Sequence, residues 1–83
     1  MNIKVLGPGC MNCKTLEKRT LEALQELRID AAVEKVQEFQ KIAAYGIMRT
    51  PGLVIDEKVA LSGYVPTVEK LKEILLAHQS VER

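Results

Sequence analysis

The two cysteines of the chain are separated by two residues, in the segment Cys10-Met11-Asn12-Cys13. Two thiols at this spacing can interconvert between a dithiol and a disulfide, or their thiolates can bind a soft metal ion. They can also form a structural disulfide, although stable ones are rare in the cytoplasm. The residue types leave these three kinds of chemistry open, and the elements around the pair determine which of them is available.

Cys10 is predicted to stand at the start of a helix. The short apolar segment 2–6 predicts a first strand, which ends at Gly7-Pro8-Gly9. From residue 10 to about 27, apolar residues recur at spacings of three and four, which predicts an amphipathic helix. The unpaired N–H groups and the positive dipole end of that helix favour a thiolate at Cys10. Cys13 lies one turn further on the same face, within reach of a mixed disulfide on Cys10. We therefore expect Cys10 to be an exposed nucleophile and Cys13 a more buried resolving thiol.

The rest of the sequence predicts three more strands and two more helices. A second strand is predicted at 29–36, and a second helix at 38–45, with Phe39, Ile42 and Ala43 on its apolar face and Gly46 closing it. Segments 53–56 and 58–63 predict a hairpin, and a last helix begins near residue 66. The connection Asp56-Glu57 is not the Asn-Gly or Asp-Gly of a typical two-residue turn, so the turn type stays open.

The predicted order β-α-β-α-β-β-α indicates an α/β fold. We expect a four-stranded mixed sheet with helices on both faces. The first two strands should be parallel, because a helix joins them, and the hairpin strands antiparallel. The first strand is expected in the interior of the sheet, which places Cys10 at its carboxyl end.

Length and composition limit the possible functions. The chain has 83 residues, enough for a single domain over 1–83. Twelve basic and eleven acidic residues nearly balance, without a basic cluster, so no nucleic-acid partner is expected. No apolar run is long enough to span a membrane, and the first residues lack the apolar core of a signal peptide. We expect a cytoplasmic monomer that does not bind membranes.

Three segments carry a resemblance to a known family: "GPGCMNCKTLEK" after the first strand, "YGIMRTPGLVID" leading into the third, and "SGYVPTVEKLKEIL" at the end. In this order they resemble the minimal form of the thioredoxin/glutaredoxin superfamily, and most of all the redox-active disulfide protein 2 family. The resemblance implies a thioredoxin-like fold and a thiol–disulfide oxidoreductase that uses Cys10 and Cys13. It also implies protein disulfide substrates, and re-reduction by a flavoprotein of the thioredoxin-reductase type or by a thiol pool. No cofactor is expected beyond the redox-active disulfide.

Thr50-Pro51 is the second motif on which the resemblance rests. In this superfamily the proline before the third strand has a cis peptide bond and lies beside the redox pair. The resemblance therefore implies a cis Thr50–Pro51 bond and a backbone that pairs with an extended substrate segment. On sequence alone, Pro51 could equally begin a strand after a turn. Met11 and Asn12 are expected to contact the same substrate, and they replace the Gly-Pro of thioredoxins, so the redox direction stays open.

Lys4 marks a departure from the family. Thioredoxins place a buried acid six residues before the nucleophile, where it accepts a proton from the second thiol, and here Lys4 occupies that place. A charged lysine cannot accept that proton, and we expect the Lys4 side chain to extend from the strand to water. The sequence thus identifies no proton acceptor for Cys13.

Two other classes of function stay open. A metallochaperone-type module would bind Cu(I), Zn(II) or a thiophilic metalloid through the two thiolates. Against it, small copper chaperones run β-α-β-β-α-β and end in a strand, so we expect no metal here. A non-catalytic interaction domain would keep unreactive thiols. Met48 and Arg49 could line its partner groove, although we expect Met48 in the core and Arg49 on the solvated surface.

Overall fold

The computed structural model describes residues 1–9 and 11–81, and the side chains of residues 1–9 and 11–78. Its elements are β1 (Asn2–Leu6), α1 (Met11–Leu27), β2 (Ala32–Val36), α2 (Phe39–Ala44), β3 (Gly52–Ile55), β4 (Lys58–Ser62) and α3 (Val68–Val81). The predicted α/β fold is confirmed, with the order β-α-β-α-β-β-α and one four-stranded mixed sheet.

The sheet has the strand order β2-β1-β3-β4, so β1 is an interior strand as predicted. It pairs in parallel with β2 and antiparallel with β3, while β3 and β4 form the antiparallel hairpin. β1 is therefore hydrogen-bonded to a neighbouring strand on each side. Only residues 7–10 separate its carboxyl end from α1.

The sheet has an apolar core on each face, because successive side chains of a strand point to opposite sides. The larger core lies under α1 and α3 and includes the strand residues Ile3, Val5, Leu53 and Ile55. The smaller core lies under α2 and consists of Leu6, Val36, Ile42 and Val54. Helices thus cover both faces, as predicted. Each fully buried Leu or Ile side chain contributes roughly 1.5–3 kcal/mol of transfer free energy, so the larger core holds α1 firmly on the sheet.

β2 is shorter than predicted, beginning at Ala32 rather than at residue 29. The reason is the end of α1, where Arg28 has a φ of 56°. Its N–H donates to Gln25 O, and the Ile29 N–H donates to Leu24 O, at 3.2 and 3.0 Å. This is the hydrogen-bond pattern of a Schellman motif, in which glycine is the usual left-handed residue. The end of α1 lies at Leu27, as predicted, and residues 28 and 29 belong to this motif rather than to β2.

The hairpin turn Asp56-Glu57 has positive φ at both residues, 49° and 69°. Positive φ at both central positions is characteristic of a type I′ turn, which normally selects Asn and Gly. Contacts with β1 hold Asp56 in this conformation. Its Oδ1 accepts a hydrogen bond from the Asn2 N–H at 2.8 Å, and its own N–H donates to Asn2 O at 2.7 Å.

Lys4 points to the α2 face of the sheet, opposite to its neighbours Ile3 and Val5. Its Nζ donates to Glu57 Oε1 at 2.8 Å and to the Tyr45 hydroxyl at 2.9 Å, and that hydroxyl donates to Glu57 Oε2 at 3.1 Å. The Lys4 side chain thus extends from the strand to the exposed Glu57 carboxylate, where its ammonium is ion-paired rather than only hydrated. The hydrogen bond from Lys4, followed by that from Tyr45, holds the pKa of Glu57 below its usual value. The same contact with Glu57 raises the pKa of Lys4.

Replacing Glu57 by Gln tests this network through its pH dependence. Because the folded-state pKa of Glu57 is lowered, its ionised carboxylate stabilises the folded chain above the ordinary value of 4.5. That contribution is lost as the pH falls through the lowered pKa. We expect Glu57→Gln to be less stable than the wild type at neutral pH, with the difference shrinking progressively below 4.5. Urea unfolding across this range measures it.

The control is Glu22→Gln, which removes an exposed carboxylate from α1. It should change the free energy of unfolding little at any pH. A difference between Glu57→Gln and the wild type that does not vary with pH would contradict the assigned role of the Lys4 contact.

Candidate functional site

The candidate site lies where β1 ends and α1 begins. Cys13 is in the first turn of α1, with 5% of its surface exposed. Cys10 lies outside the residues that the structure describes, and the chain places it between Gly9 and Met11, the first residue of α1. The structure thus gives Cys13 the burial expected of a resolving thiol. The exposure and nucleophilic role of Cys10 stay predictions.

Gly7 brings the loop after β1 directly against the Cys13 thiol. A Cβ placed on Gly7 would overlap Cys13 Sγ and would lie 3.1 Å from Cys13 Cβ. The Gly7 N–H donates to Val36 O at 2.9 Å, which ties the loop to the end of β2. The loop therefore has no space for a side chain at this residue and little freedom to move away from the thiol.

The loop before β3 approaches the same place. Thr50 Cβ would lie 3.9 Å from a Cβ on Gly7, so Thr50 and Cys13 flank the same glycine. The Thr50–Pro51 peptide bond is cis, the geometry that the resemblance implies. Thr50 is exposed and Pro51 is buried. The structure therefore brings Cys13 and the Thr50-Pro51 segment together, although 37 positions separate Cys13 from Thr50 in the chain.

Gly63 directly follows β4 and supports the Thr50-Pro51 segment. Its N–H donates to Pro51 O at 2.8 Å, and its φ is 86°. A Cβ there would lie 3.1 Å from Arg49 Cβ. Both the positive φ and this close approach explain why a glycine follows β4.

Met11 and Asn12 are both exposed in the first turn of α1. That turn contains no acidic side chain, so its positive dipole end is not neutralised from within the helix. A partner that reaches the loop before α1 would meet these two side chains first. This agrees with the expectation that they contact a substrate, without testing it.

An apolar groove opens beside the loops that carry Gly7 and Thr50. Its volume is about 550 Å³, and its lining includes Pro8, Phe39, Ile42, Ile47, Met48 and Thr50. We call it the α2 groove. Phe39 and Met48 are 82% and 96% exposed, so the expectations of Met48 in the core and of Phe39 on a buried helix face are wrong. The physical reason is the length of α2, which has six residues and buries only Ile42.

Lys4 is not the proton acceptor for Cys13. Val5 lines a small cavity together with Cys13, whereas Lys4, its neighbour in β1, faces α2. Because adjacent strand residues point to opposite faces, the Lys4 ammonium cannot affect the thiol through direct contact.

Within the described residues, no group of three or more His, Cys, Asp or Glu side chains could hold a metal ion. None of the described helices is long and apolar enough to cross a membrane.

Comparison with known proteins identifies the family to which this chain is similar. Residues 1–76 match the family described as the thioredoxin domain. A thioredoxin from Methanothermobacter thermautotrophicus is 43% identical over 75 residues, which cover 90% of this chain and 97% of the relative. A thioredoxin from Methanocaldococcus jannaschii is 34% identical over 76 residues, covering 92% and 87%.

The contact between Gly7 and Cys13 can be measured by a double-mutant cycle. Gly7→Ala should reduce the free energy of unfolding by about 1–3 kcal/mol, because the added methyl group overlaps the thiol in a packed site. In a Cys13→Ala background the sulfur is gone, so the same substitution should cost clearly less. Urea unfolding of the four proteins gives the coupling free energy. Equal costs in both backgrounds would show that the thiol does not lie against Gly7.

Proposed function

Because this chain belongs to the thioredoxin family, we propose that it is a thiol–disulfide oxidoreductase whose reacting groups are Cys10 and Cys13. The observation that carries the proposal is the placement of Cys13, buried in the first turn of α1 against Gly7 and beside Thr50. Cys10 stands three residues before Cys13 in the chain, between Gly9 and Met11, and we propose that it is the sulfur that Cys13 attacks. The dithiol and disulfide states of the pair carry the electrons, so the reaction uses no other cofactor.

The reaction consists of two exchanges. The Cys10 thiolate, favoured by the helix dipole, attacks a substrate disulfide, and one substrate sulfur leaves as a thiolate. Cys13 then loses its proton and attacks Cys10 Sγ, which forms the Cys10–Cys13 disulfide and releases the second substrate sulfur. Two electrons pass from the dithiol to the substrate. A flavoprotein of the thioredoxin-reductase type, or a thiol pool, returns them.

The substrates that we propose are protein disulfides flanked by apolar residues. The α2 groove adjoins Pro8 and Thr50, so a substrate segment bound there would present its disulfide to the loop before α1. The backbone of Thr50-Pro51 would pair with this segment, as in other cases where an extended peptide adds to a strand end. Met11 and Asn12 would contact this substrate segment on the side of α1. We place this activity in the cytoplasm, where reducing systems keep such cysteine pairs available.

Serine substitutions test the roles of the two thiols. Cys10→Ser should abolish reduction of a protein disulfide, because no thiolate remains to attack it. Cys13→Ser should stop the reaction after the first exchange and accumulate mixed disulfides on Cys10. Turnover with dithiothreitol as reductant and mass analysis of non-reduced samples measure both. Full activity of Cys10→Ser, or a Cys13→Ser variant that traps no substrate, would contradict the assigned roles.

The α2 groove is tested by making its exposed side chains polar. The double variant Phe39→Ser/Met48→Ser should raise KM for a protein disulfide about tenfold, which corresponds to about 1.4 kcal/mol of lost binding free energy. Its rate with a small aromatic disulfide should not change. Leu76→Ser, an exposed apolar position on α3, is the matched control and should leave both unchanged. Equal losses with both substrates would contradict a docking role for the groove.

A further inference from the structure

A cavity of about 20 Å³ lies beside the Cys13 thiol, between α1, the loop after β1 and the end of β2. Its volume is sufficient for one water molecule. The charged side chains that line it are those of Lys14, Glu17 and Lys35, and Gln37 adds a neutral amide. In this cavity, ionisable side chains and the Cys13 thiol share one surface.

Cys13 requires a proton acceptor if it resolves mixed disulfides, so this inference rests on the proposed function. The thiolate is the attacking species, and burial disfavours its formation. With 5% of its surface exposed, Cys13 has little direct access to bulk solvent. A base that reaches the thiol directly or through one water molecule removes this obstacle.

Glu17 is in the right position for this task. It lies four residues after Cys13 in α1, so the two side chains are on one face of the helix. Its Oε1 is 3.4 Å from Lys35 Nζ on β2, and its side chain is only 23% exposed. The ion pair holds the carboxylate across the gap between α1 and β2, next to the cavity.

The other side chains around the cavity do not fit. Lys14 and Lys35 cannot accept a proton while charged, and the Gln37 amide is not a base at neutral pH. Among the described residues that line the cavity, Glu17 has the only carboxylate. Lys4 faces α2, so it does not compete.

We propose that Glu17 accepts the Cys13 proton through one water molecule in this cavity, and that Lys35 is the positioning residue for the Glu17 carboxylate. The proton of the Cys13 thiol passes to the water, which gives a proton to Glu17. The sulfur electron pair attacks Cys10 Sγ as the bond between Cys10 and the substrate sulfur breaks. That sulfur leaves with the bonding electrons and takes a proton from solvent, and Glu17 returns its proton to solvent.

The step can be timed with dithiobis(nitrobenzoate), an aromatic disulfide that releases a coloured thiolate in each of two phases. The first release follows attack by Cys10, and its rate increases with reagent concentration. The second follows resolution by Cys13, and its rate is independent of reagent concentration. Stopped-flow absorbance over a range of pH therefore gives the resolution rate separately from the first attack.

Glu17→Gln should leave the first phase unchanged and slow the second about ten- to a hundredfold at neutral pH. The two proteins should converge at high pH, where hydroxide removes the Cys13 proton. Glu17→Asp, which keeps a carboxylate, should restore much of the rate and its pH dependence. Glu22→Gln removes the same charge from an exposed site on the same helix and should change neither phase.

A purely electrostatic role for Glu17 gives the opposite sign, since removing a negative charge near Cys13 favours the thiolate and accelerates the second phase. A second phase that is faster, unchanged, or slowed equally at every pH would overturn the inference while leaving the proposed function intact. If the wild type shows no second phase, the proposed function itself fails, and this inference fails with it.

Discussion

The close approach between Gly7 and the Cys13 thiol determines the geometry of the whole candidate site. Gly7 follows an interior strand that is hydrogen-bonded on both edges, and its N–H is tied to Val36 O. Cys13 belongs to a helix that packs over the larger apolar core. Two rigid elements therefore meet at a point where only a hydrogen atom fits between backbone and sulfur. A reacting group supported in this way is positioned more accurately than one on a loop.

The two faces of the sheet have different roles around this contact. The face under α1 and α3 carries the thiol, the small cavity and the Glu17–Lys35 pair. The face under α2 carries the Lys4 network and, at the end near the site, the α2 groove. Because α2 is short, it leaves apolar side chains uncovered there. Exposed apolar surface next to a reacting group is typical of a place where a partner binds.

Local patterns in the sequence were enough to predict most of the fold. The helical spacing of apolar residues predicted α1, and the apolar segment before Gly7 predicted β1 as an interior strand. Cys13 belongs to the apolar face of α1, so its burial could be predicted as well. The same kind of pattern failed at the start of β2, because Ile29 belongs to the motif that ends α1, in which Arg28 takes a conformation that glycine usually adopts. It failed again at Phe39, where helical spacing suggests a buried face although this six-residue helix buries only Ile42.

Contacts between distant residues were beyond such patterns. The pairing of Lys4 with Glu57 depends on where the β3–β4 turn lies, and no spacing rule relates residues 53 positions apart. In the sequence, Glu17 is one of several charged residues of α1, and only the structure shows that it pairs with Lys35 of β2 and lies beside the thiol cavity. The proximity of Thr50 to Cys13 was implied by the family resemblance and by no local signal.

The central claim is that Cys10 and Cys13 form one reversible redox pair, and an equilibrium redox titration tests it without any substrate. The purified, metal-free protein is equilibrated in thiol–disulfide buffers of defined potential, its thiols are alkylated, and the state of both cysteines is determined by mass. A working oxidoreductase gives a single two-electron transition between roughly −300 and −120 mV, with both cysteines changing together. Cysteines that are alkylated independently, or that oxidise only to mixed intermolecular products, would contradict the claim.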